Sequence, residues 1–343
     1  MGVGIITSAV KNIFVALVVL ILFPIFLTHN KIVSEAASVT LSMCFIKLIP
    51  SIFPFLVLSG FLINAFDGNN TNNRHNLDKR KTPYLIIVLS WLSGFIVGPK
   101  FLCENSSEND ITPLIFLCSN AGVGFVISYV GVTLWGSLAF GIYLFFIQIF
   151  WSVIIYLFNK NKTQKTTIEK PAIPLLTALS RSVQSATKSM LDICGFTVFF
   201  SILMSVISSF FDYGILTLTI SSSLEISSGV FGAVAYQNSI FSGFFTGFTV
   251  GFGGICMCMQ TFAVCGDNNV NKQKFILLKL LHGILCGSFA MIFVLVADLE
   301  PLSRANLDLC STSNLINAIV SALFLCSLLF LTKKYLKNKL YSI

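Results

Sequence analysis

The sequence predicts an all-α fold: a polytopic bundle of transmembrane helices with two internal repeats, each containing a glycine-broken or re-entrant helix. The chain of 343 residues is 55% hydrophobic and only 10% charged, with a mean hydropathy of +0.86, whereas soluble domains average about 25% charged residues. Its apolar runs follow one another with short polar gaps and are too long for barrel strands. In lipid, only helices then satisfy their backbone groups.

The basic residues indicate topology. The net charge is +8, but Lys and Arg stand in short blocks beside apolar runs, so nucleic acid is not an expected partner. The blocks at 74–81, 160–165 and 333–339 are predicted to be cytoplasmic. The acidic stretches 104–110 and 298–308 are then expected on the other side.

Residues 1–32 are predicted to form an amino-terminal transmembrane helix. Lys11 precedes the apolar run 13–26, and Ala36 and Ala37 leave a cleaved signal peptide open as an alternative. A retained helix is the simpler interpretation because further membrane helices follow.

The first repeat is assigned to residues 33–158. An amphipathic helix leads into Pro50 and Pro54, and two prolines four residues apart predict a bend or a restart. The run 84–98 is shorter than the roughly 20 residues of a full crossing. It ends in Gly98-Pro99-Lys100 and is predicted to be re-entrant or discontinuous. Two longer helices, 112–130 and 131–158, complete this half.

A cytoplasmic linker, 159–170, precedes the second repeat, 171–296. That repeat begins with an amphipathic helix and an apolar helix, followed by a stretch rich in Ser and Gly that holds Glu225. The segment 241–264 is rich in glycine, and a long helix, 275–296, follows. Residues 297–343 are assigned to a carboxy-terminal transmembrane helix, 315–331, with a basic tail.

Both halves share one order of parts: an amphipathic helix, an apolar helix, a glycine-broken segment and a long helix. The broken segments carry Gly94-Phe95 and Gly251-Phe252. Repeats with interrupted helices at matching places are the best pointer to a transporter's central site, because broken helices expose polar ends near the membrane midplane.

Candidate substrate-binding residues lie at or near these interruptions. Lys100 either meets an anion inside the bundle or extends to the interface from a helix end. Ser119 and Asn120 either bind a ligand or form an interhelical hydrogen bond. The predicted set is Gly98, Lys100, Ser119, Asn120, Glu225, Gly253, Gly254 and Gln260.

Two residues are candidates for ion coupling. Glu225 is either a proton or cation site or the cap of a helix at the membrane edge. His282 lies between apolar turns, where a packing role is more common than a proton relay.

No enzyme is predicted, because the sequence lacks the HExxH, G-x-S-x-G and Walker motifs. Asp267 has no convincing partner aspartate for intramembrane proteolysis. Neither a cofactor nor a metal site is expected, since Cys256 and Cys258 are one residue apart and no His lies near them in sequence. Most of the ten cysteines lie in apolar runs, where free thiols are expected.

Six short motifs, in order along residues 41–296, carry a resemblance to a known family. They are IPSIFPF at 49–55, LSGFIVGPK at 92–100, CSNAG at 118–122, LEISSG at 224–229, GFGGI at 251–255 with Gln260, and LHG at 281–283. The chain resembles the sporulation integral membrane proteins of the YlbJ type, which belong with the nucleoside-recognition or gate-domain membrane proteins. It departs from them at Ile96, Pro99, Ser119 and Val123, which leaves a changed substrate preference open.

The resemblance implies a multi-pass protein of the outer forespore membrane that carries dipicolinic acid, with each half a gate-like repeat. Helix amino termini and Lys100 suit that dianion. Related carriers move nucleosides, for which Asn, Gln and Glu are natural partners. An ion-coupled nucleoside transporter and a non-transporting sporulation scaffold remain the alternatives, and homo-oligomerisation stays open.

Overall fold

The computed structural model describes residues 16–66, 82–105, 110–159, 174–210, 214–266 and 270–302. Within these ranges 88% of the residues are helical and none lies in a strand. Four helices there are long and apolar enough to cross a membrane, or five if one bent pair counts as a span. The chain is therefore a multi-pass α-helical membrane protein. Residues 160–170 of the predicted linker, Asp267, the segment 315–331 that was predicted to be helical, and the basic tail lie outside the described residues.

The amino-terminal region is a bent helix followed by a long helical segment. Helix α1 (Ala16–Thr28) and helix α2 (Asn30–Met43) meet at 90°. Helix α2 continues through one wide π-helical stretch, π1 (Cys44–Leu48), into α3 (Ile49–Phe66). The two prolines were predicted to bend or restart the helix. In the structure the helix continues through π1, because a π-bulge accommodates a local misfit without ending the helix.

Helices α4 (Thr82–Ser93) and α5 (Val97–Asn105) form a hairpin, called hairpin 1. The turn begins at Gly94, whose φ of 106° suits glycine. A Cβ atom on Gly98 would collide with Ser90, one turn before the break, so the two helices fold back on each other. The predicted discontinuity is present, but it lies at Gly94, and Gly98 and Pro99 belong to the first turn of α5, where proline is tolerated.

The next element is a broken helix made of α6 (Thr112–Cys118) and π2, a π-helical segment (Gly124–Leu134). The sequence predicted one unbroken helix here; in the structure, residues 119–122 leave the helical conformation. Helix α7 (Leu138–Asn159) follows after a turn at 135–137, later than the predicted boundary at Gly131.

The second half begins with α8 (Leu175–Phe210), one continuous helix of 36 residues. Helices α9 (Ile215–Leu224) and α10 (Ile226–Val234) form a second hairpin, hairpin 2, with Glu225 at its tip. A Cβ atom on Gly229 would lie 2.6 Å from the Cα of Ser222, so these helices also fold back on each other. Each is too short to cross a hydrocarbon core about 30 Å thick.

A second broken helix consists of α11 (Ser239–Phe252) and α12 (Gly254–Cys265). Gly253 and Gly254 both have positive φ, at 78° and 79°, so the predicted glycine break is confirmed. The last described helix, α13 (Lys272–Ala297), packs closely along α11, because small residues of α11 let the two backbones approach.

Contacts at the two ends of α13 establish how the crossings are oriented. Lys274 pairs with Asp110 at 3.4 Å, and the Asn271 N–H donates to Thr112 Oγ1 at 2.8 Å, so α6 starts beside the start of α13. Asp298 caps the other end of α13. The expectation that stretches 104–110 and 298–308 share one side is therefore wrong, since Asp110 and Asp298 lie at opposite ends of one crossing helix.

Candidate functional site

The helices are interrupted at four places: the tips of hairpins 1 and 2 and the breaks in α6–π2 and in α11–α12. These four interruptions meet in pairs. In the first half, a Cβ atom on Gly94, at the tip of hairpin 1, would lie 3.6 Å from the Gly122 nitrogen in the break of α6–π2. In the second half, a Cβ atom on Gly254 would lie 2.7 Å from the Leu224 carbonyl oxygen at the tip of hairpin 2. Each hairpin tip thus touches the break of the crossing helix that follows it.

All four interruptions line one cavity of about 60 Å³, called the central cavity. That volume holds a few water molecules. The backbone of Gly94, Gly122 and Gly253 contributes to its wall, and aromatic and aliphatic side chains supply most of the rest. An apolar pocket with a few convergent polar groups is the usual form of a small-molecule site. A substrate larger than a few waters requires the hairpins to move apart.

Glu225 brings a carboxylate to this cavity and also caps helix α10. Its side chain is 1% exposed, and its Oε2 accepts a hydrogen bond from the Ser228 N–H at 2.7 Å. The predicted alternative of a helix cap is correct, but the cap lies inside the bundle. A carboxylate at a helix amino terminus is favoured by the helix dipole.

Gln260, on α12, is the second buried polar side chain at the cavity. It is 3% exposed, and its Nε2 contacts Cys256 Sγ at 3.3 Å. Its Oε1 has no hydrogen-bond partner within the described chain. Because buried amide oxygens are nearly always bonded in folded proteins, this one is available to a ligand donor.

A wide polar opening, called the vestibule, adjoins the central cavity. Its volume is about 720 Å³, and Ser227 lines both spaces. Ser201, Ser205 and Ser208 face it from α8, and Glu35 faces it from α2. Serines spaced four and three residues apart form one polar stripe along a helix. The vestibule therefore provides a polar route from the protein surface towards Glu225.

Lys100 faces away from the central cavity. Its Nζ donates to Ser185 Oγ at 2.5 Å and lies 3.4 Å from Ser189 Oγ, both on α8. A separate small hollow beside Gly60 is lined by Lys100. The structure therefore places this ammonium group between hairpin 1 and α8, apart from the other predicted binding residues.

Ser119, Asn120 and Gly98 stand behind the cavity wall. Ser119 Oγ donates to the Ile115 carbonyl within α6, and Asn120 Nδ2 donates to Ser152 Oγ on α7 at 3.1 Å. The interhelical alternative for Asn120 is thus observed. Of the eight predicted binding residues, the structure brings Glu225, Gly253 and Gln260 to the cavity wall, with Gly254 against the tip of hairpin 2.

Lys279 and His282 form a buried pair, of which the sequence predicted only His282 as a functional residue. Both side chains are 0% exposed. Lys279 Nζ donates to the Ser119 carbonyl at 2.8 Å, and His282 Nδ1 lies 2.9 Å from the Gly251 carbonyl oxygen. A lysine three residues before His282 in an apolar helix was the available signal, since intramembrane charges are costly and commonly functional.

Comparison with known proteins yields no match: no family model, curated protein or solved structure resembles the chain detectably. The fold and the site together define its class, a multi-pass α-helical membrane protein whose interrupted helices surround a mostly apolar cavity with a few polar groups.

Proposed function

We propose that the chain is a secondary transporter that moves a small anionic metabolite through the central cavity. One observation carries the proposal: four interruptions of membrane helices converge on one cavity that adjoins a polar vestibule. Discontinuous helices around a site within the bundle are the usual construction of secondary transporters, because their free backbone groups meet the substrate.

The element order supports an inverted repeat. Each half consists of a long helix, a hairpin, a broken crossing helix and a second long helix. The corresponding helices α7 and α13 run in opposite directions: Tyr143 OH donates to the Phe289 carbonyl, while His282 contacts the Gln148 carbonyl. Inverted repeats provide two related conformations that open the site alternately to the two sides of the membrane.

The helix ends around the cavity favour an anion. The amino termini of π2 and α12 have no side-chain cap. Lys279 and His282 instead contact the carboxy-terminal ends of α6 and α11. Side chains of this chain thus already bind the negative helix ends, whereas two positive ends remain for a carboxylate. With the family resemblance, this favours dipicolinate as the substrate and the outer forespore membrane as the location.

Nucleosides are the second candidate, and the cavity wall itself supplies the argument for them. Glu225 and Gln260 line it, and a carboxylate with an amide suits sugar hydroxyls and base edges. No Lys or Arg of the described segments lines this cavity. A dianion would meet repulsion from an ionised Glu225, whereas a nucleoside would meet a hydrogen-bond acceptor.

Counterflow in liposomes tests both candidates. The purified full chain is reconstituted, loaded with unlabelled dipicolinate or uridine, and offered the labelled compound. We expect labelled dipicolinate to enter at a rate at least about tenfold above protein-free liposomes. Uptake of uridine alone would select the nucleoside candidate, and no uptake of either would favour a scaffold.

A matched pair of variants links the flux to the site. Ser227→Phe places a ring between the vestibule and the central cavity, and we expect it to reduce counterflow at least about tenfold. Ser209→Phe adds the same ring at an exposed position of α8 outside the vestibule lining and should leave counterflow unchanged. Equal flux in the two variants would contradict a route through this junction.

A further inference from the structure

The hydrogen bonds of His282 define how many protons its ring carries. Nδ1 lies 2.9 Å from the Gly251 carbonyl oxygen, and Nε2 lies 2.8 Å from the Gln148 carbonyl oxygen. A carbonyl oxygen only accepts hydrogen bonds, so each ring nitrogen must carry a hydrogen to form its bond. Both bonds form together only when the ring is an imidazolium cation, and a neutral ring makes one of them.

Lys279 is close enough to share that proton. Its Nζ lies 3.5 Å from His282 Nδ1 and 2.8 Å from the Ser119 carbonyl oxygen. Two cations at this separation repel strongly in a buried, low-dielectric site, so such groups titrate as one coupled unit. When the ammonium group is charged, Nδ1 loses its hydrogen, accepts from Lys279 and no longer donates to Gly251.

The surroundings of the pair contain few other titratable groups. Within the described residues, those that interact electrostatically with Lys279 are Cys258 on α12, Cys286 on α13 and His282 itself. The Phe116 ring on α6 lies 5.8 Å from Lys279 Nζ. From α7 and α11 the pair meets backbone carbonyl groups. The net charge of the Lys279–His282 pair is therefore set mainly by how many protons the two side chains bind, and not by other charged groups of the described residues.

The pair connects both broken crossing helices. Lys279 binds the end of α6 at Ser119, three residues before Gly122. His282 binds the end of α11 at Gly251, two residues before Gly253. Gly122 and Gly253 line the central cavity. A change in protonation therefore makes or breaks a hydrogen bond next to the cavity wall.

Two unbonded acceptors mark the same region as a polar site. Asn120 Oδ1 and Gln148 Oε1 are buried without a hydrogen-bond partner in the described chain. In broken-helix transporters, carbonyl groups at half-helix ends hold the coupling cation. Here the tethered ammonium of Lys279 occupies such a carbonyl end, at Ser119.

We propose that Lys279 and His282 form one proton-binding site, and that the transporter uses this proton, without sodium, as its coupling ion. The inference rests on the proposed function. In each cycle an N–H bond forms on the pair with a proton from one aqueous phase. That bond breaks when the proton leaves to the opposite aqueous phase. The cavity wall rearranges in the same cycle, and the substrate crosses the membrane with this rearrangement.

Reconstituted protein separates the two proposals. Counterflow at equal pH tests transport alone, and accumulation of labelled dipicolinate under a pH gradient tests coupling. With the membrane potential clamped at zero, wild-type protein should accumulate substrate about tenfold per pH unit for one proton per substrate, equally in sodium and in choline buffers. Lys279→Met and His282→Gln should remain folded, as judged by thermal unfolding in detergent, and lose this accumulation, whereas Lys188→Met, at an exposed position of α8, should behave as wild type.

Three results would refute the proton site but not transport itself. The first is accumulation driven by a sodium gradient, and the second is normal proton coupling in both variants. The third is a wild-type protein that performs counterflow but accumulates no substrate under a pH gradient. A binding readout remains decisive even if no substrate moves. In ¹⁵N-histidine spectra of the purified chain, which contains three histidines, the signal absent from His282→Gln should show a titration that Lys279→Met displaces. A His282 ring indifferent to both pH and Lys279→Met would refute the site.

Discussion

Gly254 and Leu224 are packed so closely that no side chain fits between them. A Cβ atom on Gly254 would lie 2.7 Å from the Leu224 carbonyl oxygen, and its φ of 79° is unfavourable for other residues. Gly254→Ala should therefore push α12 away from hairpin 2. We expect a loss of about 1–3 kcal/mol in stability and at least about tenfold slower counterflow, measured by thermal unfolding in detergent and by flux.

Gly195 is the matched control for this substitution. It lies exposed in α8, and a Cβ atom there would meet no other atom within 4 Å. Gly195→Ala should stabilise the helix by about 0.5–1 kcal/mol and leave flux unchanged. If the two alanine variants unfold at the same temperature, the contact between Gly254 and Leu224 is not a constraint on the fold.

Hydropathy and glycine patterns predicted much of the fold, for local reasons. Apolar runs must be helical in lipid, and the break at Gly253 follows from paired glycines. The return of hairpin 1 was harder to foresee, because it depends on the close approach of Gly98 to Ser90. The break at residues 119–122 contains a single glycine and lies in an apolar run, so its helix was predicted to be unbroken.

The sequence correctly placed residues at the site only where they lie in the chain next to the helix break that forms it. Glu225 reaches the central cavity from the tip of hairpin 2, and Gln260 reaches it from α12. The direction of Lys100 depends instead on Ser185, which lies 85 residues later in the chain. The position of Lys279 likewise depends on Ser119, which lies 160 residues earlier in the chain at a break between two helices.

Lys100 offers a test of whether it contacts substrate or holds hairpin 1. Its Nζ contacts Ser185 Oγ and Ser189 Oγ on α8. We expect Lys100→Ala and Ser185→Ala each to lower stability by about 1–2 kcal/mol, and the double variant to lose less than the sum. A thermal unfolding cycle of the four proteins measures this coupling.

The transport readout then distinguishes the two roles of Lys100. A residue that holds the hairpin should affect dipicolinate and uridine flux alike. If Lys100→Ala weakens dipicolinate binding at least about tenfold while Ser185→Ala does not, the lysine meets the substrate in another conformation of the protein, as the sequence analysis predicted.

The Asp110–Lys274 pair predicts a dependence of stability on pH. Partial burial raises the pKa of the Asp110 carboxyl, but hydrogen bonds from Thr112 and the charge of Lys274 outweigh it, so that pKa lies below its ordinary value. A lowered native pKa adds stability that is present above the unfolded pKa of about 3.9 and disappears as the pH falls through the native pKa.

Asp110→Asn should therefore lower the unfolding temperature at pH 7 and lose this difference in acid. The effect is small, at most about 1 kcal/mol, because the pair is about one-third exposed and the solvent screens it. Lys274→Met should reproduce the loss at pH 7. A stability difference for Asp110→Asn that grows below pH 4 would contradict this assignment of the carboxylate.

Glu225 separates the two substrate classes because one substitution removes its charge and keeps its cap. In Glu225→Gln the amide oxygen can still accept from the Ser228 N–H, so stability should remain within about 0.5 kcal/mol, whereas Glu225→Ala loses about 0.5–2 kcal/mol with the cap.

Removal of a carboxylate from the central cavity should preserve or increase dipicolinate counterflow, because a dianion no longer meets a like charge. Uridine, which needs the carboxylate as an acceptor for its hydroxyl groups, should instead lose transport. Both labelled substrates are measured in the same liposomes. Loss of dipicolinate counterflow in a Glu225→Gln protein that folds normally would contradict repulsion between Glu225 and the anion.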